Sequence, residues 1–292
     1  MAETGPVTSP GVPFGGSARP APGGRTAGGI AYDDEGTGEA VVLVHAGVAD
    51  RRMWAPIVPA LAVRHRVIRP DMRGFGESLA PTGPWSHHGD LLALLDELDV
   101  ARAHLVGVSM GAGIVAEAAI ARPTLPRSLV LAAPGGALFG EEPAELRPIW
   151  AAEIEALDDG DLEAAVEVNL RAWVDGPARA ADAVDPEVRA FVGTMQREAF
   201  ELPEWDPDAF PEHELTPPAA GRLAELTAPL LVAVGEGDQP PVLAAADRIA
   251  AQAPDARVSV WPEVAHVFPL EQPDAFAAMV LAFFAEVEAR PR

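Results

Sequence analysis

The 292-residue chain contains no cysteine. Disulfides, thiolate-ligated zinc and cysteine nucleophiles are therefore excluded, and the absence fits a reducing compartment. Lysine is also missing, so every basic side chain is arginine, set among abundant alanine, glycine and proline. That pattern reads as coding bias rather than physical demand. Positive charge is scarce: 21 basic residues face 44 acidic ones, a formal net charge of −23. A surface of that sign is repelled by nucleic-acid phosphates and by anionic membranes, so neither partner is expected. The acidity implies solubility and does not identify a substrate. No apolar run reaches the roughly 20 residues needed to span a bilayer. Residues 1–28 have no apolar stretch of the secretory type, and a cytoplasmic location is the expectation.

What remains is an ordinary globular composition, 49% hydrophobic and 22% charged, long enough to bury a large core without staples. Residues 1–28, rich in Pro, Gly, Ser and Thr, read as a flexible leader. Beyond it, short apolar runs alternate with longer Ala/Leu-rich ones. Strands are expected at 40–45, 66–69, 103–106, 128–132, 230–234 and 257–260. Helices are expected around 53–62, 88–98, 111–121, 241–253 and 273–289. This is the β-α alternation of an α/β fold with a mostly parallel sheet flanked by helices. Residues 138–222 interrupt it with helix-like runs at 145–157, 161–174 and 186–200. They read as a helical cap inserted before the last two strands, between core segments 29–137 and 223–292.

The strongest chemical signal is Gly107-Val108-Ser109-Met110-Gly111, between an apolar strand and a small-residue helix. A serine in that strand–turn–helix setting occupies a sharp, strained turn, where neighbouring Cβ atoms would clash. The helix start then aims backbone donors at any developing oxyanion. A hydroxyl is a weak nucleophile without a base, and two candidates follow in order. Asp238 ends the strand 230–234 region, and His266 follows the last expected strand. All three lie just past strand carboxyl ends and so can converge at one sheet edge. An imidazole removes the serine proton near neutral pH, and a carboxylate fixes its tautomer. Glu236 is a rival to Asp238. The loop at His45-Ala46-Gly47-Val48 suits the second oxyanion donor, so the backbone N–H groups of Gly47 and Met110 are nominated. His45 itself reads as structural.

Other polar residues read as scaffold. Asp71 and Arg73 pair with each other or with backbone. His87 and His88 are expected to be solvated, and His65, His104 and His213 show no recognisable partner. No metal site and no cofactor is expected. The cap aromatics Trp150, Trp173, Phe191, Phe200, Trp205 and Phe210 either line an apolar pocket or pack the cap onto the core; Trp54 and Trp85 are open in the same way.

The segments HAGVADRRMW at 45–54, RPDMRGFGES at 69–78, GVSMG at 107–111, VGEGD at 234–238 and AHVFPLEQPDAF at 265–276 together resemble the α/β-hydrolase superfamily, in its cofactor-free esterase, haloperoxidase and enol-lactonase branch. The resemblance implies an eight-stranded sheet, a helical cap and a Ser109–Asp238–His266 triad. Ala46 and Ala265 stand where the family usually or often has glycine. The reaction expected is hydrolysis of a small ester, lactone or related carbonyl compound through an acyl-enzyme. Carbon–carbon bond hydrolysis or perhydrolysis on the same triad, and a non-catalytic ligand-binding protein on this fold, are the alternatives. The substrate's identity and the oligomeric state are not legible.

Overall fold

The computed structural model describes residues 23–203 and 209–290. Its framework is one eight-stranded sheet, built from β1 (Gly24–Arg25), β2 (Ala31–Gly36), β3 (Glu39–Val44), β4 (His65–Pro70), β5 (Ala103–Val108), β6 (Pro126–Ala132), β7 (Leu230–Gly235) and β8 (Ala256–Trp261). The strand order is β1-β2-β4-β3-β5-β6-β7-β8. The β1–β2 and β2–β4 pairs are antiparallel, and all others are parallel.

The central strands are buried on both faces, and their alternation separates two cores. In β3, Val41 and Leu43 enter one core while Val42 and Val44 enter the other. The first core also holds α1 (Val58–Leu61) and the C-terminal helix α9 (Pro273–Glu288), with Trp54, Phe268, Phe276 and Phe284 fully buried. The second is closed by α2 (His87–Glu97), α3 (Met110–Ala121) and α7 (Pro240–Gln252). Local signals set the helix starts. Ser86 accepts the Gly89 amide at the head of α2, and proline opens α7 and α9 where its missing N–H costs nothing.

Two strands escape the apolar pattern. β2 reads AYDDEG and is stabilised by charge across the antiparallel pair rather than by burial. Asp34 binds Arg66 at 2.7 Å, and Glu35 binds Arg69 at 2.8 Å. β1 lies inside the stretch expected to be a flexible leader, where Thr26 is buried and bonded to Ile30. The rest of that leader, 1–22, lies outside the described residues.

Between β6 and β7 the chain forms α4 (Arg147–Asp158), α5 (Leu162–Asn169), a π-helical turn at Leu170–Asp175 and α6 (Pro186–Phe200). Asp161 and Asp185 cap α5 and α6 through their side chains. A short helix, α8 (Phe268–Glu271), follows β8. Among the described residues no helix is long and apolar enough to cross a membrane.

Candidate active site

Ser109 sits where β5 gives way to α3, with φ 57° and ψ −119°. That conformation costs a non-glycine residue about 1–3 kcal/mol, so the surroundings must hold it. The Ser109 amide donates to the Ala132 carbonyl at 2.9 Å, and its own carbonyl accepts from Ala112 and Gly135. The turn is tight enough to demand glycine on both sides. A Cβ on Gly107 would strike the Gly111 carbonyl, and one on Gly111 would strike the carbonyls of Val44 and His45. The serine side chain is half-exposed at the carboxyl edge of the sheet.

Two further loops meet that edge. Asp238, 3% exposed, follows β7, and His266, 2% exposed, follows β8. His266 Nδ1 lies 2.9 and 3.0 Å from the two carboxylate oxygens of Asp238. The Gln239 amide donates to Asp238 Oδ1 at 2.7 Å, which orients the carboxylate further. Glu236, the rival carboxylate, points to solvent. With Nδ1 engaged by Asp238, Nε2 is the ring atom left to exchange a proton. Among the described residues no hydrogen bond joins Nε2 to the Ser109 hydroxyl; such contacts commonly tighten only around substrate.

The loop after β3 passes beside the serine. A Cβ on Gly47 would lie 3.8 Å from the Met110 side chain, so the two nominated amides belong to neighbouring turns. Neither donates to a loop or turn carbonyl among the described residues. His45 holds the loop: the Met72 amide donates to Nε2 at 2.9 Å, so Nδ1 carries the proton and donates to the Ala46 carbonyl at 2.8 Å. Burial keeps this imidazole's pKa below its usual value, against the pull of nearby Asp71.

A family model described as the alpha/beta hydrolase family matches residues 41–279. The chain belongs to the alpha/beta hydrolase family. A putative non-heme bromoperoxidase, BpoC, of Mycobacterium tuberculosis is 32% identical over 274 residues, 89% of this chain and 99% of that protein. A 2-hydroxy-6-oxo-6-phenylhexa-2,4-dienoate hydrolase of Burkholderia cepacia is 28% identical, covering 88% of this chain and 91% of that one. Among solved structures, the enol-lactonase of Burkholderia xenovorans LB400 superposes with a TM-score of 0.70 at 24% identity, over 88% of this chain and 96% of that one.

This alpha/beta hydrolase also builds features around the site whose placement no local sequence signal gives. Trp173, in the π-helical turn, places its ring 4.7 Å from that of His266; π-helical turns recur at functional sites. Gln239 Nε2 donates to the Ala172 carbonyl at 2.9 Å, tying the Asp238 loop to the same turn. Arg179 donates to the carbonyls of Val174, Asp175 and Glu263 and to both oxygens of Glu271. It thereby latches the turn to the loop carrying His266. Gly176 (φ 79°) is the close approach: a Cβ there would lie 2.6 Å from the Gly237 carbonyl and 2.8 Å from Ala265 Cβ. The space Ala265 occupies is therefore supplied by Gly176.

Several expectations need correction. Asp71 and Arg73 do bond backbone, Asp71 accepting the Arg51 and Glu77 amides and Arg73 donating to the Gly28 and Leu79 carbonyls, but they do not pair with each other: Arg73 pairs with Asp90 and Asp71 with the Arg51 guanidinium. His87 is half-buried rather than solvated. Burial, with help from His45 and Arg73, lowers its pKa to about 3. His88 lies 3.5 Å from Glu117. His104 has a partner in the Ser128 hydroxyl at 2.7 Å, His65 approaches the Leu61 carbonyl at 3.3 Å, and the His213 amide donates to the Trp85 carbonyl. Trp150, Phe191 and Phe200 are partly buried against the first core, and Trp54 is fully buried in it. The Trp85 indole donates to the Phe210 carbonyl. Trp205 lies outside the described residues.

Proposed function

We propose that this alpha/beta hydrolase is a serine hydrolase acting on a small ester or lactone through an acyl-enzyme, with Ser109, His266 and Asp238 as nucleophile, base and orienting carboxylate. The observation that carries the reading is the buried His266–Asp238 pair at the same sheet edge as a serine held in a strained turn. Ser109 Oγ attacks the carbonyl carbon while His266 Nε2 takes its proton. Negative charge gathers on the carbonyl oxygen, where the Gly47 and Met110 amides are placed to receive it. Collapse expels the leaving oxygen, which takes the proton from Nε2. Water then attacks the acyl-enzyme, giving its proton to Nε2, and the acid is released as the proton returns to Ser109. Asp238 holds Nδ1–H throughout and stabilises the imidazolium. A nearby tryptophan, Trp173, helps to fix the ring.

The helices between β6 and β7 form the cap that selects the substrate, in a core-and-cap division at 138–222. Likeness to the carbon–carbon bond hydrolase of Burkholderia cepacia over most of both chains supports a second reading, in which the same triad cleaves a β-dicarbonyl-like bond. A panel of p-nitrophenyl esters, simple lactones and a 2-hydroxy-6-oxo-dienoate separates the two. Turnover of the dienoate alone would favour the second reading, and turnover of none with ligand binding retained would favour a non-catalytic protein.

A further inference from the structure

The amino edge of the sheet, opposite Ser109, gathers positive charge in a chain whose formal net charge is −23. A cavity of about 500 Å³ there is lined by Arg64, Arg102, Arg127 and Arg290, against the carboxylates of Glu39 and Glu288. Arg64 and Arg102 immediately precede β4 and β5, the strands on either side of β3, so the parallel sheet brings them to one edge. Arg127 is paired with Glu39, and Arg290 with Asp255. Arg64 and Arg102 pair with no carboxylate among the described residues. Two guanidiniums therefore line the cavity without a counter-charge of their own.

The same cavity holds acceptors that lack a proton donor. Glu288 Oε1 lies 3.6 Å from His65 Nε2 and 3.6 Å from His104 Nε2, too long for a hydrogen bond. His65 Nδ1 faces the Leu61 carbonyl, a pure acceptor, so it carries the proton and leaves a lone pair on Nε2. His104 is fully buried, and its Nε2 has no hydrogen-bond partner among the described residues. Its Nδ1 is anchored on Ser128 Oγ at 2.7 Å. Burial lowers the pKa of this imidazole to about 3, and the neighbours that add to the shift, His65, Arg127 and Arg102, are all basic. An unpaired polar atom buried in such a setting points to a missing partner.

The partner must suit both sets of groups. A cation would meet the guanidiniums, and a fully deprotonated anion would meet the Glu288 carboxylate. An oxyanion that keeps a hydroxyl satisfies both: its charged oxygens accept from the arginine N–H groups, and its O–H donates to a carboxylate or an imidazole lone pair. Inorganic phosphate retains at least one P–OH at neutral pH, whereas sulfate retains none. We propose that the amino-edge cavity binds a hydrogenphosphate-type oxyanion, with Arg64 and Arg102 as donors to its charged oxygens and Glu288 and His65 as acceptors of its proton. The bound anion would join the end of α9 to the starts of β4 and β5. The site is independent of the hydrolase reading.

The test titrates the full chain with inorganic phosphate and with sulfate by calorimetry at pH 7, in about 0.15 M chloride to screen long-range attraction. The expected result is one saturable equivalent of phosphate, with sulfate bound about 10-fold more weakly or worse, because it sets an unprotonated oxygen against Glu288. Arg64→Gln and Arg102→Gln, both at exposed positions, should each weaken phosphate binding by about 10- to 100-fold, the range for losing one hydrogen bond to a charged group. Both should keep wild-type ester turnover. Glu288→Gln should bring phosphate and sulfate close to parity. Absence of a saturable equivalent would overturn the proposal. So would equal affinity of the wild type for phosphate and sulfate, which would report a general attraction to arginine, or phosphate affinity unchanged in both arginine variants.

Discussion

The two edges of the sheet each bring histidine and carboxylate together, but at different spacings. At the carboxyl edge, one imidazole meets one buried carboxylate at 2.9 Å. At the amino edge, two imidazoles face one carboxylate oxygen at 3.6 Å each. The first spacing is a hydrogen bond that fixes a tautomer and, in the proposed reaction, prepares a base. The second is too long for a hydrogen bond. The backbone differs as well. The carboxyl edge stores strain at Ser109 and is latched to a π-helical turn. The amino-edge groups sit on regular strand ends and a helix terminus. The same residue types thus take different spacings at the two edges, and in the proposed reaction only the carboxyl-edge pair handles a moving proton.

Substitutions at the two edges sharpen the contrast. Asp238→Asn should leave the fold intact and lower kcat on an activated ester by about 10⁴-fold, because the wrong tautomer of His266 is then favoured. Equal loss in Glu288→Gln would break the contrast. Gly111→Ala drives a methyl into two backbone carbonyls. It should cost about 3 kcal/mol in urea unfolding, whereas a cost below 0.5 kcal/mol would mean the elbow is looser than described. Arg179→Ala removes a nearly buried ion pair with Glu271. It should destabilise by about 2 kcal/mol, and ester turnover should fall with it because the His266 loop loses its latch. Unchanged turnover would show that the latch is only structural.

The smallest effect is a pH dependence. His87 has a folded pKa of about 3 against an ordinary 6.5. The unfolded chain therefore binds the extra proton first. Stability is full above pH 6.5 and declines as pH falls towards 3. Discounted for partial exposure of the ring, the loss between pH 7 and 5 is about 1 kcal/mol. His87→Asn should remove that part of the slope in denaturant titrations, and an unaltered slope would contradict the assignment.

The buried strands β3, β5, β6 and β7 and the helices α2, α3, α7 and α9 were legible because apolar periodicity and capping residues mark them locally. β2 was not, because its acids are satisfied by arginines 18 to 36 residues away in sequence. Ser109, Asp238 and His266 could be named from position after strands and from family likeness. Gln239 and Arg179 could not, and Trp173 stood only as one of six cap aromatics, since their contacts to the site come from folding of the inserted helices. The amino-edge cluster was invisible for the same reason: positions 39, 65, 104 and 288 have no motif spacing and meet only when parallel strands align their starts.

The central claim is that Ser109 is the nucleophile, and covalent labelling tests it most directly. The full chain treated with a fluorophosphonate probe should gain one adduct, mapped by mass spectrometry to the peptide containing Ser109. The Ser109→Ala variant, folded to the same melting temperature, should gain none and lose turnover of an activated ester. An adduct elsewhere, or undiminished turnover in Ser109→Ala, would contradict the account.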